Sequence, residues 1–168
     1  MPAFVFGLPS HVLVVHAVVV LVPLAVLGAL VVALWPAARR RFGWLVVGIT
    51  AVATACIPLA TNSGEQLRDR LATTDLIRQH AHLGDELLVY VAALLVLVAA
   101  LVAVDQRRRN RATGDLAPKV AVGALAVLAV ALAAVSAVQV VRIGDSGARA
   151  AWADKQYTAP HPEHRPTG

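Results

Sequence analysis

Imidazole is the side chain in this sequence best suited to chemistry, and its placement is uneven. His11 and His16 stand at the head of one apolar stretch, His80 and His82 lie just ahead of another, and His161 and His164 fall in a proline-rich tail. Imidazole ligates haem iron, copper and zinc, and a site between facing helices needs only two such residues at equal depth. On a helix, His80 shares a stripe with Leu76, Gly84 and Leu87 and is expected to face its neighbours, whereas His82, turned about 200° from it, faces out. His11 and His16 are separated by about 7.5 Å in depth and about 140° around the axis, so they do not serve one site together. Depth pairs His11 with His80. The candidate ligands for one haem b or one transition metal are therefore His11 and His80, with His16 kept as a third candidate that depth assigns instead to a hydrogen bond inside the bundle. The plainer alternative is a set of interfacial histidines with one satisfied buried one.

Other chemistries lack their residues. Cys56 is the only cysteine, so there is no internal disulfide, no paired-cysteine zinc or redox motif and no covalent haem attachment. Neither a glycine-rich phosphate loop, a nucleophile elbow nor a paired-histidine zinc motif is present, and no catalytic residue is assigned. The spans carry no histidine, carboxylate or lysine in their cytoplasmic half, which disfavours a two-haem conduit, a carboxylate-driven pump and a transporter. His161 and His164, among Pro160, Pro162 and Pro166, read as part of a solvated, mobile tail over 153–168.

The elements that must hold the histidines are transmembrane helices. Hydrophobic residues make up 58% of 168 residues, charged residues 15%, and the mean hydropathy is +0.70. The apolar residues are bunched: Val12–Trp35, Phe42–Ala60, Leu87–Val104 and Val120–Val141 contain no Asp, Glu, Lys or Arg. Each spans roughly 27–36 Å as a helix, against a hydrocarbon core of about 30 Å. The third is expected to begin a turn earlier, near Leu83, with Asp85 and Glu86 at its amino terminus. The prediction is an all-α, integral membrane four-helix bundle over 1–152, with spans at about 12–35, 42–60, 83–104 and 120–141. A soluble bundle would need a polar face on every helix, and Val120–Val135 has none.

Charge orients the bundle. The segment after the first span carries Arg39, Arg40 and Arg41, and that after the third carries Arg107, Arg108, Arg109, Arg111 and Lys119 against Asp105 and Asp115. The stretch Thr61–Glu86 has three arginines against five carboxylates. The positive-inside rule puts the first and third loops in the cytoplasm and both termini outside, in a multi-pass protein of the cell membrane. No basic residue precedes the first span, which is also too long for a signal core and reads as a retained helix. Eight of the 15 Lys and Arg lie in these two loops, so topology accounts for the basic pI of 10.3 without nucleic acid. Trp35 and Trp44 flank the first arginine cluster at headgroup level.

Packing in lipid depends on small residues, and Ala25, Gly28, Gly48, Ala51, Gly123, Ala129, Ala133 and Ser136 offer them. Thr50, Thr54 and Thr61 share one face, with hydroxyls expected to bond the preceding turn or a neighbouring helix; Pro58 is expected to kink the second span. Ser63 and Gln66 make a capping box for a short surface helix with Leu67 and Leu71. The segment Arg142–Trp152 is expected to turn at Gly144 and Gly147 and to start a last helix capped by Asp145 or Ser146, anchored by Trp152.

The runs Pro9-Ser10-His11 with His16, Ser63-Gly64-Glu65-Gln66-Leu67, His80-Ala81-His82-Leu83-Gly84, and Gly144-Asp145-Ser146-Gly147-Ala148 with Trp152 resemble a bacterial membrane family called domain of unknown function 2231. The resemblance runs from about Leu8 to Trp152, in a style similar to actinobacterial members. It implies a four-helix integral membrane protein whose relatives are sometimes joined to, or encoded near, Rieske-type iron-sulfur or other redox proteins, and hence a redox partner on the outer face. Ser63, Gly64, Glu65, Gly144, Asp145, Ser146, Gly147 and Trp152 become candidate docking or structural residues. The chain departs from the family at Val12, where relatives often have Pro, and at Asp145, where some have His. Two readings follow: a redox-associated accessory protein with one haem b or metal near the outer surface, or a purely structural subunit of a membrane complex.

Overall fold

The computed structural model describes residues 4–5, 8–70, 74–111 and 116–153, the side chains of 4–10 and 116–118 excepted. The expected tail from 154 onward lies outside the described residues. A two-residue antiparallel ladder, β1 (Phe4–Val5) with β2 (Leu8–Pro9), leads into four helices: α1 (Ser10–Leu34), α2 (Pro36–Arg68), α3 (Asp75–Asn110) and α4 (Leu116–Trp152). All four are long and apolar enough to cross a membrane.

The helices outrun their charge-free spans. α2, α3 and α4 have 33, 36 and 37 residues, or about 50–55 Å at 1.5 Å per residue, well beyond a hydrocarbon core of about 30 Å. A single residue, Trp35, separates α1 from α2. It is extended (φ −120°, ψ 102°) because Pro36 follows it and opens α2. Arg39–Arg41 are therefore helical and not part of a loop. At the other end α3 starts about two turns before Leu83, with the Thr74 hydroxyl accepting from the Ile77 N–H at 3.3 Å and Asp75 in the first turn.

Two expected breaks are absent. α2 continues through Ser63, so no capped surface helix begins there, and α4 continues through Gly144 and Gly147 instead of turning at them. Pro58 also lies inside α2, and helix runs on both sides of it.

Successive helices run antiparallel, each packs against the next, and α1 closes the ring on α4. The axis is filled by Val22, Ala29, Val32, Ala53, Ile57, Val91, Leu94, Val98 and Ala133. Outward residues such as Val20, Leu27, Val96 and Val127 are as apolar as those inside, the pattern of helices that face lipid. Packing is closest at glycine. A Cβ on Gly28 would lie 3.1 Å from the Val46 methyls, and one on Gly43 only 2.8 Å from Val102 Cγ2. Ala25, Ala129, Ala133 and Ser136 are buried as expected, while Gly48, Ala51 and Gly123 are exposed. The threonines bond their own helix: Thr50 to Val46 O, Thr54 to Thr50 O and Thr61 to Pro58 O.

Candidate functional site

The helical extensions beyond the apolar spans gather His11, Ser63, His80 and Ser146 at one end of the bundle. His11, in the first turn of α1, lies against the last turns of α2. Its Nδ1 is 3.0 Å from the Ala60 carbonyl oxygen and 3.3 Å from Ser63 Oγ. A carbonyl only accepts, so Nδ1 carries the proton and Nε2 the lone pair. The Ser63 hydroxyl donates to the same Ala60 carbonyl at 2.9 Å, which leaves its own lone pairs toward the ring. Gly64 makes the approach possible: a Cβ there would stand 3.0 Å from His11 Cε1 and 3.2 Å from Nδ1.

The second hairpin repeats this arrangement. His80 on α3 places Nδ1 3.1 Å from Ser146 Oγ on α4, and the Ser146 hydroxyl donates to Ile143 O at 2.9 Å. That hydroxyl proton is committed, so the His80 Nδ1–H donates to Ser146, with the Ile143 carbonyl also acting on the ring. A Cβ on Gly147 would stand 3.0 Å from His80 Cε1 and 3.3 Å from Nδ1. Histidine, a Ser-Gly pair on the next helix, and the carbonyl three residues before the serine thus occur twice. Both rings are half-buried, and they are near enough to interact electrostatically. No hydrogen bond among the described residues engages either Nε2.

The other candidates are not brought to this pair. His16 lies on an exposed face and donates from Nδ1 to Val12 O of its own helix at 2.6 Å, so its hydrogen bond is not inside the bundle as expected. His82 faces out and pairs with Glu86 at 3.3 Å. Glu65 is exposed and lines a shallow groove on α2 with Asn62, Gln66 and Asp69. Gly144 has open space where a Cβ would go, Asp145 pairs with Arg149 at 2.9 Å, and Trp152 is exposed at the end of α4.

Three buried polar groups escape the sequence reading. Gln139 donates from Nε2 to Leu83 O and to Glu86 Oε2, both at 3.0 Å, tying α4 to α3 inside the bundle. Its signal was its being the one amide in an otherwise uncharged apolar span. Arg39 and Asp105, counted above as cytoplasmic loop charges, are helical, buried and paired at 3.4 Å at the opposite end. Their signal was position: Arg39 follows the helix-opening Pro36 by three residues, and Asp105 precedes Arg108 and Arg109 by one turn.

Chemically, the histidine end offers two imidazoles with protonated, tethered Nδ1 and an Nε2 that no hydrogen bond among the described residues engages. Among the described residues no group of three or more His, Cys, Asp and Glu could hold a metal ion. A family model described as a predicted membrane protein (DUF2231) matches residues 7–160. No match was found among curated proteins or among solved structures.

Proposed function

The chain belongs to this family of predicted membrane proteins, and from that premise we propose that it is a redox-associated accessory protein holding one haem b, or a single transition metal in its place, between His11 and His80. One observation carries the reading: two half-buried histidines, one from each hairpin, have the same tethered Nδ1–H and, among the described residues, no partner at Nε2. An acceptor on Nδ1 is what orients a metal-binding imidazole and raises its basicity. Two ligands are too few for a structural zinc site, which takes four, but two imidazoles suffice for a haem. The donor set therefore fits haem better than a bare ion. His11 and His80 would hold it; Ser63 and Ser146 hold their rings, and Gly64 and Gly147 let the rings lie against α2 and α4. When bound, the haem supplies one-electron exchange.

Orientation follows from charge. The opposite end carries eight Lys and Arg against Asp105 and Asp115, so the positive-inside rule puts the histidine end and both termini outside the cell. A redox partner would meet the protein there. The alternative, a structural subunit without cofactor, draws on the same bonds: His11–Ala60 and His80–Ser146 also fasten α1 to α2 and α3 to α4.

An absorption spectrum and elemental analysis of the detergent-purified protein separate the two. The proposal expects a Soret band, or one equivalent of metal, that is lost in both His11→Ala and His80→Ala and kept in His16→Ala. Protein that folds, carries neither haem nor stoichiometric metal and takes up neither on addition would overturn it in favour of the structural reading.

A further inference from the structure

At the end opposite the histidines, the first turns of α2 and the last turn of α3 gather guanidinium groups around one carboxylate. Arg39, 6% exposed, donates to Val32 O at 3.2 Å and Ala33 O at 3.4 Å, carbonyls that α1 leaves open at its carboxyl end. Asp105, 2% exposed, pairs with Arg39, with Arg108 at 3.1 Å and with Arg109. One negative charge thus faces three positive ones. Arg108 Nε is shielded from solvent and has no hydrogen-bond partner among the described residues. Arg40, Arg41, Arg107 and Lys119 are exposed at the same end and add no carboxylate. The one other acid that the sequence places there, Asp115, lies outside the described residues and leaves a large cationic excess.

A shielded guanidinium N–H without an acceptor, in a cluster with uncompensated charge, is costly unless an anion completes it. We propose that this cluster binds the phosphodiester of an anionic phospholipid, gripped by Arg108 and Arg109, with Arg40 and Arg41 beside it. The planar fork of arginine matches two phosphate oxygens. Lipid is the source because of depth: Trp35, Phe42 and Trp44 are exposed around the cluster, as at a headgroup layer, and the neighbouring Leu45 offers exposed apolar surface to an acyl chain. The Trp44 indole donates to Gln106 Oε1 at 2.9 Å, so the two arginine-bearing helix ends are adjacent. Basic surfaces of this kind between membrane helices recognise lipid headgroups.

The test is lipid retention by the full chain, exchanged through nanodiscs of equimolar phosphatidylglycerol and phosphatidylcholine and analysed by native mass spectrometry. Wild type is expected to retain phosphatidylglycerol preferentially. Arg108→Gln and Arg109→Gln should each lower that retention about fivefold, and Arg108→Lys should lower it less. Arg142→Gln removes the same charge at the histidine end and should change nothing. The Arg39–Asp105 pair stays intact in these variants, and circular dichroism reports whether they fold. The proposal is overturned by equal retention of the two lipids in wild type, by an equal loss in Arg142→Gln, or by displacement of the lipid with millimolar inorganic phosphate, which marks a free-ion site.

Discussion

Gly144 and Gly147 lie one turn apart in a single helix, and replacing each with alanine isolates what the histidine contact contributes. Alanine is favoured over glycine in a helix interior by about 1 kcal/mol at either position. At Gly144 a Cβ meets nothing within 4 Å, so Gly144→Ala should stabilise the protein by up to about 1 kcal/mol. At Gly147 the new Cβ stands 3.0 Å from His80 Cε1 and 3.3 Å from Nδ1. The ring must then retreat by a few tenths of an ångström, away from Ser146 Oγ, which now sits at 3.1 Å. Overpacking costs about 1–3 kcal/mol and a weakened hydrogen bond up to about 1 kcal/mol. Set against the propensity gain of about 1 kcal/mol, Gly147→Ala is destabilising by up to about 3 kcal/mol. Equilibrium unfolding in mixed micelles, followed by far-ultraviolet circular dichroism, measures both variants under one condition. Equal and positive shifts would refute the ring contact. Strong destabilisation by Gly144→Ala would instead mean that the helix breaks at that glycine.

The first hairpin should answer in the same way, Gly64→Ala costing up to about 3 kcal/mol through His11 in the same unfolding assay. Asp105→Ala strands the buried Arg39 guanidinium and is expected to destabilise by about 3–5 kcal/mol, whereas the double replacement Arg39→Met, Asp105→Leu should recover most of that loss; an unfolding series in lipid-containing micelles reads both. Gln139→Leu removes the tie to Leu83 and Glu86 and should cost about 1 kcal/mol in the same assay, the usual scale for an interhelical hydrogen bond in a membrane protein. His11→Ala and His80→Ala should each abolish the Soret band, or the bound metal, with helix content unchanged, and His16→Ala should abolish neither.

Charge-free runs locate the four spans because an ionised side chain in hydrocarbon is expensive, whatever the neighbours do. Helix ends obey a different rule. Beyond Ala60 the chain turns polar while its backbone stays helical, so a reading by hydropathy ended the span near Ala60 and took Ser63 for a cap. Gly144 and Gly147 looked like breakers because a glycine costs a helix about 1 kcal/mol. At Gly147 the reason for glycine is a histidine on another helix, which no local pattern reveals. That His11 and His80 both lie at one end of the bundle was legible from depth and side alone, as was the separation of His16 from His11. The duplication was hidden: histidine and serine are 52 residues apart in the first hairpin and 66 in the second, so no fixed period marks it. The burial of Arg39 and Asp105 is hidden because a count of loop charges does not register that Pro36 starts a helix at once.

The side-chain bonds described above fall unevenly along the length of the bundle. At the basic end Arg39–Asp105 and Trp44–Gln106 cross from one hairpin to the other, whereas the bonds of His11, His80 and Gln139 each stay inside a hairpin. The molecule is built like a clothes-peg, sprung at the arginines and meeting at the histidines. Parting its jaws sacrifices apolar packing but breaks none of these polar ties. Each hairpin carries the polar bonds that fasten it without drawing on its counterpart.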